Sequence, residues 1–239
     1  MDQQQSGADA NRAVPIWARS APRRRPAVTR DEIVTAAMDI AGEEGSDAVS
    51  MRRVAARLGI GPMALYTHID SKDDLIDLIA DELAGEIILD ENEFSEDWRE
   101  SISRVARRER AMIKRHPWAT ELVGKRGALG PNALLHIEQS YKALDGLDVP
   151  IPIASQIINA VDQYTTGFVL RESHAATRRD LGPDSPGAAY VREAATAAGH
   201  ERFVQLLQQD PADFPDADES FEIGLGWLLE GITRDLGRG

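Results

Sequence analysis

Residues 50–69, SMRRVAARLGIGPMALYTHI, constrain the fold more tightly than any other part of the chain. Ser50 is a suitable N-cap for a helix whose apolar residues recur every three or four positions. Gly59 follows where the chain must reverse, because glycine reaches left-handed dihedral angles without a steric cost. Pro62 suits the first position of a second helix. The segment therefore predicts two short helices joined by a tight turn.

The second helix of this pair has an inward and an outward side. Leu65 and Ile69 are four residues apart and are predicted to pack on the first helix. The residues left to point outward are Pro62, Met63, Ala64, Tyr66, Thr67 and His68. In a helix-turn-helix, the exposed N-terminal residues of the second helix read the major groove of DNA. This arrangement indicates a DNA-binding helix pair.

The sequence around the helix pair resembles the TetR (tetracycline repressor) family. TRDEIVTAAMDIAGEEG (29–45) precedes the pair, and LYTHIDSKDDLIDLIADEL (65–83) overlaps and follows it. The Leu-Tyr-x-His-x-x-x-Lys run that ends at Lys72 is specific to that family. The resemblance implies an all-α protein, with an N-terminal three-helix helix-turn-helix DNA-binding domain and a C-terminal helical ligand-binding and dimerisation domain. Gly61-Pro62 replaces the Ser or Thr common in the family at this position, so base specificity does not carry over.

The resemblance also implies which residues contact double-stranded operator DNA. Tyr66, His68 and Lys72 are expected to position the helix on phosphates. Contacts with bases or with the neighbouring DNA backbone are expected from Arg52, Gly61, Pro62, Met63, Ala64 and Thr67.

The charge distribution is consistent with a DNA-binding end, although the net charge is −13. Residues 1–72 contain 10 Lys+Arg against 9 Asp+Glu, whereas residues 73–239 contain 17 against 31. The acidic part, residues 73–239, should repel nucleic acid. The near-neutral end, which contains Arg52, Arg53 and Arg57, should therefore face the nucleic acid. The alternative is that these arginines are ordinary solvated helix charges.

Three segments are expected along the chain: a disordered basic arm (1–28), the helix-turn-helix DNA-binding domain (29–75) and the ligand-binding and dimerisation domain (76–239). The arm is polar and proline-containing, and its Arg23-Arg24-Arg25 either reaches DNA or belongs to a solvated tail. Thr29 is expected to cap the first helix, with Glu32 three residues later completing a capping box. Ser71 is expected to cap a fourth helix that runs to about Leu89 and links the two domains.

The C-terminal part shows helical periodicity throughout. Helices are expected over about 95–115, 118–125, 131–145, 152–178 and 217–236, with a weaker helical region before about 209. The helices at 152–178 and 217–236 are apolar on more than one face, whereas a surface helix needs only one apolar stripe. In the TetR family the corresponding helices form a four-helix bundle between subunits, which implies a homodimer. The expected anchors are Phe168, Leu225, Trp227, Leu228 and Ile232; the alternative is that they form the core of a larger monomer.

The resemblance further implies a small-molecule site, because family members are usually repressors relieved by a ligand. The candidate lining residues are Trp98, Met112, Trp118, Leu122, His136, Gln139, Gln156, Asn159, Asp162 and Tyr164. Apolar walls with a few convergent polar groups are typical of such sites, and His136 with Gln139 is the best polar pair. For each residue taken separately, a place in the core or on the surface is the alternative. The histidines have no metal-ligand spacing, so neither a metal nor another cofactor is expected.

The remaining sequence features narrow the function. The chain has no cysteine, and it contains neither an apolar run long enough to span a membrane nor a signal-peptide core, so a cytoplasmic protein is expected. Common catalytic and nucleotide-binding motifs are absent, so no enzymatic activity is expected. The pattern favours a ligand-responsive transcriptional regulator: a repressor released from a pseudo-palindromic operator by a small apolar molecule. The alternative is a helical small-molecule-binding or interaction protein that does not act on DNA.

Overall fold

The computed structural model describes residues 16–18, 28–120, 130–177 and 186–237, and it confirms the all-α fold class within them. No β-strand occurs in these ranges. The α-helices are α1 (Arg30–Glu44), α2 (Met51–Arg57), α3 (Pro62–Leu65), α4 (Lys72–Gly85), α5 (Trp98–Arg115), α6 (Pro131–Lys142), α7 (Ile151–Thr177), α8 (Pro186–Ala197), α9 (Glu201–Leu207) and α10 (Ala217–Leu236). None of the helices in the described part combines the length and apolar character that a membrane crossing requires.

Side-chain caps set where the N-terminal helices begin. Thr29 and Glu32 form a capping box at α1, in which the Glu32 N–H donates to the Thr29 side chain and the Thr29 N–H donates to the Glu32 carboxylate. The hydroxyls of Ser50 and Ser71 accept from backbone N–H groups at the starts of α2 and α4. All three N-caps match the sequence prediction, because these short polar side chains satisfy N–H groups that the helix itself leaves unpaired.

Several helix boundaries differ from the expected ones. α4 ends at Gly85 rather than near Leu89, and α5 begins at Trp98 rather than Ser95, because Asp97 caps it. The weaker helical region before 209 is two helices, separated at Gly199, whose φ of 69° is in the left-handed region. The expected helix at 118–125 lies largely outside the described residues.

The N-terminal helices share one apolar core. Its fully buried members include Ile33, Ile40, Val49, Val54, Leu65, Ile69, Leu75 and Ile79. Ile16 belongs to the same core with only 1% of its surface exposed, and Trp17 packs against it. The expectation that the whole arm 1–28 is disordered is therefore wrong for Ile16–Ala18, which forms a 3₁₀ turn. Arg23-Arg24-Arg25 lies outside the described residues.

Helix α4 and the residues that follow it as far as Leu89, which we call the α4 segment, are joined to α6 at two points. Near the start of α6, the Ala133 N–H donates to the buried Asp81 carboxylate at 2.9 Å, and the Asn132 side chain donates to the Asp81 carbonyl at 3.2 Å. Near its end, Gln139 accepts from the Leu89 N–H at 2.8 Å and donates to the Leu89 carbonyl at 2.7 Å. We call these two contacts together the α4–α6 joint.

Gly130 permits the close approach at the first of these contacts. A Cβ atom at this position would lie 2.3 Å from Asp81 Cγ and 2.5 Å from the Trp17 ring. A side chain cannot occupy that space unless the Asp81 carboxylate and the Trp17 ring move, so glycine is favoured here. Trp17 consequently packs against the same end of α6 that Asp81 caps.

The chain divides into two compact units, residues 1–155 and 156–239. In the second unit, the rings of Tyr164, Phe168 and Phe221 form one cluster with centroids 5.3–5.9 Å apart. The Tyr164 hydroxyl donates to the Phe221 carbonyl at 2.8 Å and thereby joins α7 to α10. The packing division does not coincide with residue 75, because α4 packs against both α1 and α6; a functional boundary at 75 stays a prediction.

Candidate nucleic-acid interface

The turn between α2 and α3 has the geometry that the sequence predicted. Gly59 adopts a φ of 67°, and the Ile60 N–H donates to the Ala55 carbonyl at 3.0 Å, which closes the end of α2. Gly61 is extended, and Pro62 occupies the first turn of α3. The turn thus sets the direction in which α3 leaves the domain.

Helix α3 is a single turn, Pro62–Leu65, followed by non-helical turns. Leu65 and Ile69 are completely buried, as predicted. Pro62, Tyr66 and Thr67 are exposed, and Met63 exposes 77% of its surface. Ala64 is half-buried and Gly61 exposed. We call the surface formed by Gly61, Pro62, Met63, Ala64, Tyr66 and Thr67 the reading surface.

His68 does not point outward, which corrects the sequence prediction. Only 9% of His68 is exposed, and its carbonyl accepts from Arg30 Nε at 3.4 Å. Burial, together with the positive charge of Arg30, lowers the pKa of His68 below its ordinary value of 6.5. The imidazole is therefore neutral at pH 7 and offers no positive charge to a phosphate.

Two of the four cations near the reading surface are paired within the protein. Arg53 binds Glu44, with Nε 3.2 Å from Oε1, and Arg57 binds Glu43, with Nη1 3.1 Å from Oε1. The hydrogen bond from Arg57 lowers the pKa of the Glu43 carboxyl and raises that of the guanidinium. Arg52 and Lys72, by contrast, are exposed cations beside the reading surface, and no salt bridge joins either to another described residue.

Most of the predicted ligand-site residues of the first unit are in packed environments. Trp98 and Trp118 are buried, and both Trp118 and Met112 pack with the core of the DNA-binding helices. Gln139 is buried and uses its amide in the α4–α6 joint, whereas His136 is half-buried one turn before it on α6. Leu122 lies outside the described residues. Of the two polar candidates on α6, only His136 is not fully buried.

The remaining ligand candidates belong to the second unit. Gln156, Asn159 and Asp162 are exposed, and Tyr164 is half-buried with its hydroxyl bonded to the Phe221 carbonyl. A groove of about 810 Å³ lies between α7 and α10 and is lined by Tyr164, Gly167, Phe168, Arg171, Glu172, Pro215, Ala217, Ser220, Gly224 and Trp227. Within the described residues, no group of three His, Asp or Glu side chains is arranged to hold a metal ion.

The predicted dimer anchors on α10 lie on different sides of that helix, and Phe168 lies on α7. Leu225 is 1% exposed and packs inside the unit on the stripe that contains Phe221 and Leu229, so it cannot be a contact with a partner. Trp227 is 76% exposed, and Leu228, Ile232 and Phe168 are partly buried. The corrected set of candidate anchors is therefore centred on Trp227.

Comparison with known proteins identifies the family to which this architecture belongs. Residues 33–79 match the family described as bacterial regulatory proteins, tetR family, and residues 92–236 match the tetracyclin repressor-like C-terminal domain. The chain belongs to the TetR family. It is a transcriptional regulator with a helix-turn-helix DNA-binding domain, and the expectation of a non-enzymatic protein is confirmed by this membership.

Relatives of similar length support the assignment to the TetR family. An HTH-type transcriptional regulator of Saccharopolyspora erythraea is 32% identical over 93% of this chain and 92% of its own. The HTH-type transcriptional repressor DrrR1 of Streptomyces coeruleorubidus is 32% identical over 87% of this chain and 78% of its own. The structure of ActR from Streptomyces coelicolor in complex with actinorhodin is 28% identical, with a TM-score of 0.71 over 88% of this chain and 99% of that chain.

Some residues important to the architecture were not singled out from the sequence. Asp81 looks like one more acid on an acidic helix, and nothing local indicates that it caps another helix about 50 residues away. Ile16 and Trp17 did carry a signal, since they are an apolar pair inside an otherwise polar arm.

Proposed function

We propose that this TetR-family regulator is a homodimeric cytoplasmic repressor that leaves a pseudo-palindromic operator when a small apolar molecule binds. The observation that carries the proposal is the reading surface, where Met63 and Tyr66 stand exposed on a turn fixed from behind by buried Leu65 and Ile69. Large apolar side chains held outward in this way have no role in the chain's own core and match the exposed part of a helix-turn-helix. The repressor name of the related DrrR1 supports the direction of regulation.

Tyr66→Ala is expected to weaken binding to a specific duplex by about 1–3 kcal/mol, since it removes an exposed ring and hydroxyl from the reading surface. Binding is measured by fluorescence anisotropy with a duplex selected by the protein from a randomised library, over a range of salt concentrations. Lys72→Ala should reduce the salt dependence by about one phosphate contact. Glu82→Ala, an exposed residue of α4 away from this surface, is the control. Retention of full affinity by both variants would exclude this surface as the DNA contact.

The homodimer is proposed from the apolar surface that α7 and α10 leave exposed. Trp227 is 76% exposed, and Leu170 exposes 38%. Gly231 lies four residues after Trp227 on α10, and no atom lies within 4 Å of where its Cβ would be, which leaves room for a partner helix to approach closely. An exposed large apolar surface of this kind marks an interaction site in a helical protein. Two reading surfaces are also what a pseudo-palindromic operator requires.

Ligand release is proposed to act through α6, whose His136 is half-buried one turn from Gln139. A ligand weakens DNA binding only if it prefers a conformation in which the two reading surfaces are wrongly spaced. α6 is fixed to the α4 segment by the α4–α6 joint, so a ligand that displaces α6 also displaces the helix next to the DNA-binding core. Actinorhodin, which is bound to the related ActR, is the first probe.

His136→Ala is expected to lower the affinity for this probe while it leaves affinity for the duplex unchanged. The coupling between probe and duplex should be about 1–3 kcal/mol in the unchanged protein and should fall in the variant. Calorimetric titration of the probe, with and without duplex, measures both quantities, and Glu138→Ala on the exposed side of α6 is the matched control. A probe that binds equally well in the presence and absence of duplex contradicts the release mechanism, because coupling is reciprocal.

A further inference from the structure

The reading surface is unusual in what its side chains can offer to a base pair. Gly61 has no side chain, and Pro62, Met63 and Ala64 have no hydrogen-bonding donor beyond their backbone. Thr67 has a hydroxyl, but its proton is donated to the Ala64 carbonyl at 2.7 Å. Apart from Tyr66, whose hydroxyl is expected at a phosphate, the part of the protein that would face the base edges is therefore almost entirely apolar.

Met63 dominates this apolar surface. It lies in the first turn of α3, next to Pro62, and 77% of its surface is exposed, more than for any other large apolar residue of the first unit that the structure describes. Its exposure follows from the geometry of the turn, since Leu65 and Ile69 are directed inward and lock α3 on α2. The thioether side chain is long and adaptable, so it can follow the surface that it meets.

The major groove presents one apolar feature among its base edges. Guanine, cytosine and adenine show hydrogen-bond donors and acceptors there, whereas thymine also shows its C5-methyl group. A side chain with no donor or acceptor distinguishes bases by contact with that methyl group and by little else. An apolar reading surface therefore favours thymine at the positions it touches.

We propose that this regulator reads its operator mainly through the C5-methyl groups of thymine, which Met63 contacts with the support of Pro62 and the Thr67 methyl group. This inference rests on the proposed DNA-binding function of the reading surface. Phosphate contacts from Tyr66 and Lys72 orient the surface but carry no direct base information. The operator half-site accordingly contains at least one thymine whose methyl group faces Met63.

The test compares two forms of the same duplex. A duplex is first selected by the full-length protein from a randomised library, and each thymine of a half-site is then replaced singly by deoxyuridine, which lacks only the methyl group. Loss of the methyl group facing Met63 should weaken binding about fourfold, the amount expected for one buried methylene-sized group. Replacement at the symmetric positions of both half-sites should weaken binding by about tenfold or more.

Variants of the protein assign the effect to Met63. Met63→Ala should bind the thymine duplex about as weakly as the unchanged protein binds the deoxyuridine duplex, and it should no longer distinguish the two. Arg52→Ala is the matched control: this exposed cation of α2 should weaken binding to both duplexes by the same factor. Circular dichroism of each variant confirms that the helices are retained.

Each outcome tests either thymine-methyl readout by Met63 or the proposed operator binding on which it rests. Equal binding of the thymine and deoxyuridine duplexes by the unchanged protein overturns methyl readout, as does a Met63→Ala variant that keeps the full preference for thymine. Loss of the preference in Arg52→Ala instead of Met63→Ala would move base reading to α2 and also overturn the inference. Failure of the protein to enrich any duplex contradicts the proposed operator binding itself.

Discussion

Phe221→Ala is expected to lower the free energy of unfolding of the C-terminal unit by about 3–5 kcal/mol, the usual cost of truncating a buried phenylalanine. Phe221 is completely buried, and its ring centroid lies 5.5 Å from that of Tyr164 and 5.3 Å from that of Phe168. Its removal leaves a cavity between α7 and α10. The nearby Gly224 has no side chain that could fill this cavity, and the Tyr164 hydroxyl already packs against Gly224. The cavity and the lost ring contacts act in the same direction.

Urea unfolding followed by circular dichroism measures this change, at one fixed protein concentration because association also contributes to apparent stability. Phe203→Ala is the matched control, since this phenylalanine is 43% exposed on α9 and its truncation should cost much less. A change of less than about 1 kcal/mol for Phe221→Ala would mean that the aromatic cluster does not hold α7 and α10 together.

Trp227→Ala should weaken the association of two chains but leave the free energy of unfolding of each chain almost unchanged. Trp227 lies six residues after Phe221 on the same helix but is 76% exposed, so its truncation should change the folding of the isolated chain very little. Because Trp227 is the proposed centre of the dimer contact, its truncation should cost about 2 kcal/mol or more of association free energy. The dimer dissociation constant should then rise about 30-fold.

Analytical ultracentrifugation across a dilution series measures this dissociation constant. Tyr190→Ala is the control, because Tyr190 is an equally exposed aromatic residue, 70% exposed, but lies on α8. A Trp227→Ala protein that stays dimeric at the same concentrations as the unchanged protein would place the dimer contact elsewhere.

Where local chemistry decides the structure, the sequence was sufficient. The capping residues Thr29, Ser50 and Ser71 were all predicted, because each bonds with groups no more than three residues away. The reversal at Gly59 was predicted for the same reason, since a left-handed residue at a helix end favours glycine. Membership of the TetR family was likewise visible in the contiguous run from Leu65 to Lys72.

The error at His68 has a specific cause. The prediction directed every residue of 62–69 except Leu65 and Ile69 outward, although His68 follows Leu65 by three residues and is its neighbour on a helix surface. In the structure α3 ends at Leu65, and the following turn rotates the chain so that His68 is buried beside Arg30. Position 68 therefore lay at the border of the buried side, where periodicity alone does not decide how exposed a side chain is.

The assignments of Leu225 and Gln139 show a second kind of limit. α10 has two apolar stripes, and periodicity does not tell which one faces the chain's own core; the structure places Phe221, Leu225 and Leu229 inside and Trp227 outside. Gln139 was expected to face a ligand, but its amide bonds with both backbone groups of Leu89, 50 residues earlier. Partners so distant in sequence leave no local pattern to detect.

The α4–α6 joint has a mechanical consequence. Four hydrogen bonds attach α6 to the α4 segment, two near Asp81 and two at Leu89, so the helices cannot slide past each other unless several of these bonds break together. Breaking the bond between Asp81 and Ala133, or either bond between Gln139 and Leu89, would leave a buried polar group without its partner, at a cost of about 1–3 kcal/mol. The two elements are therefore expected to move as one stiff body, so that a displacement imposed on α6 is carried directly to α4. Because the Trp17 ring lies against Gly130 at the start of α6, such a displacement must also move the Ile16–Ala18 turn or open its contact with α6.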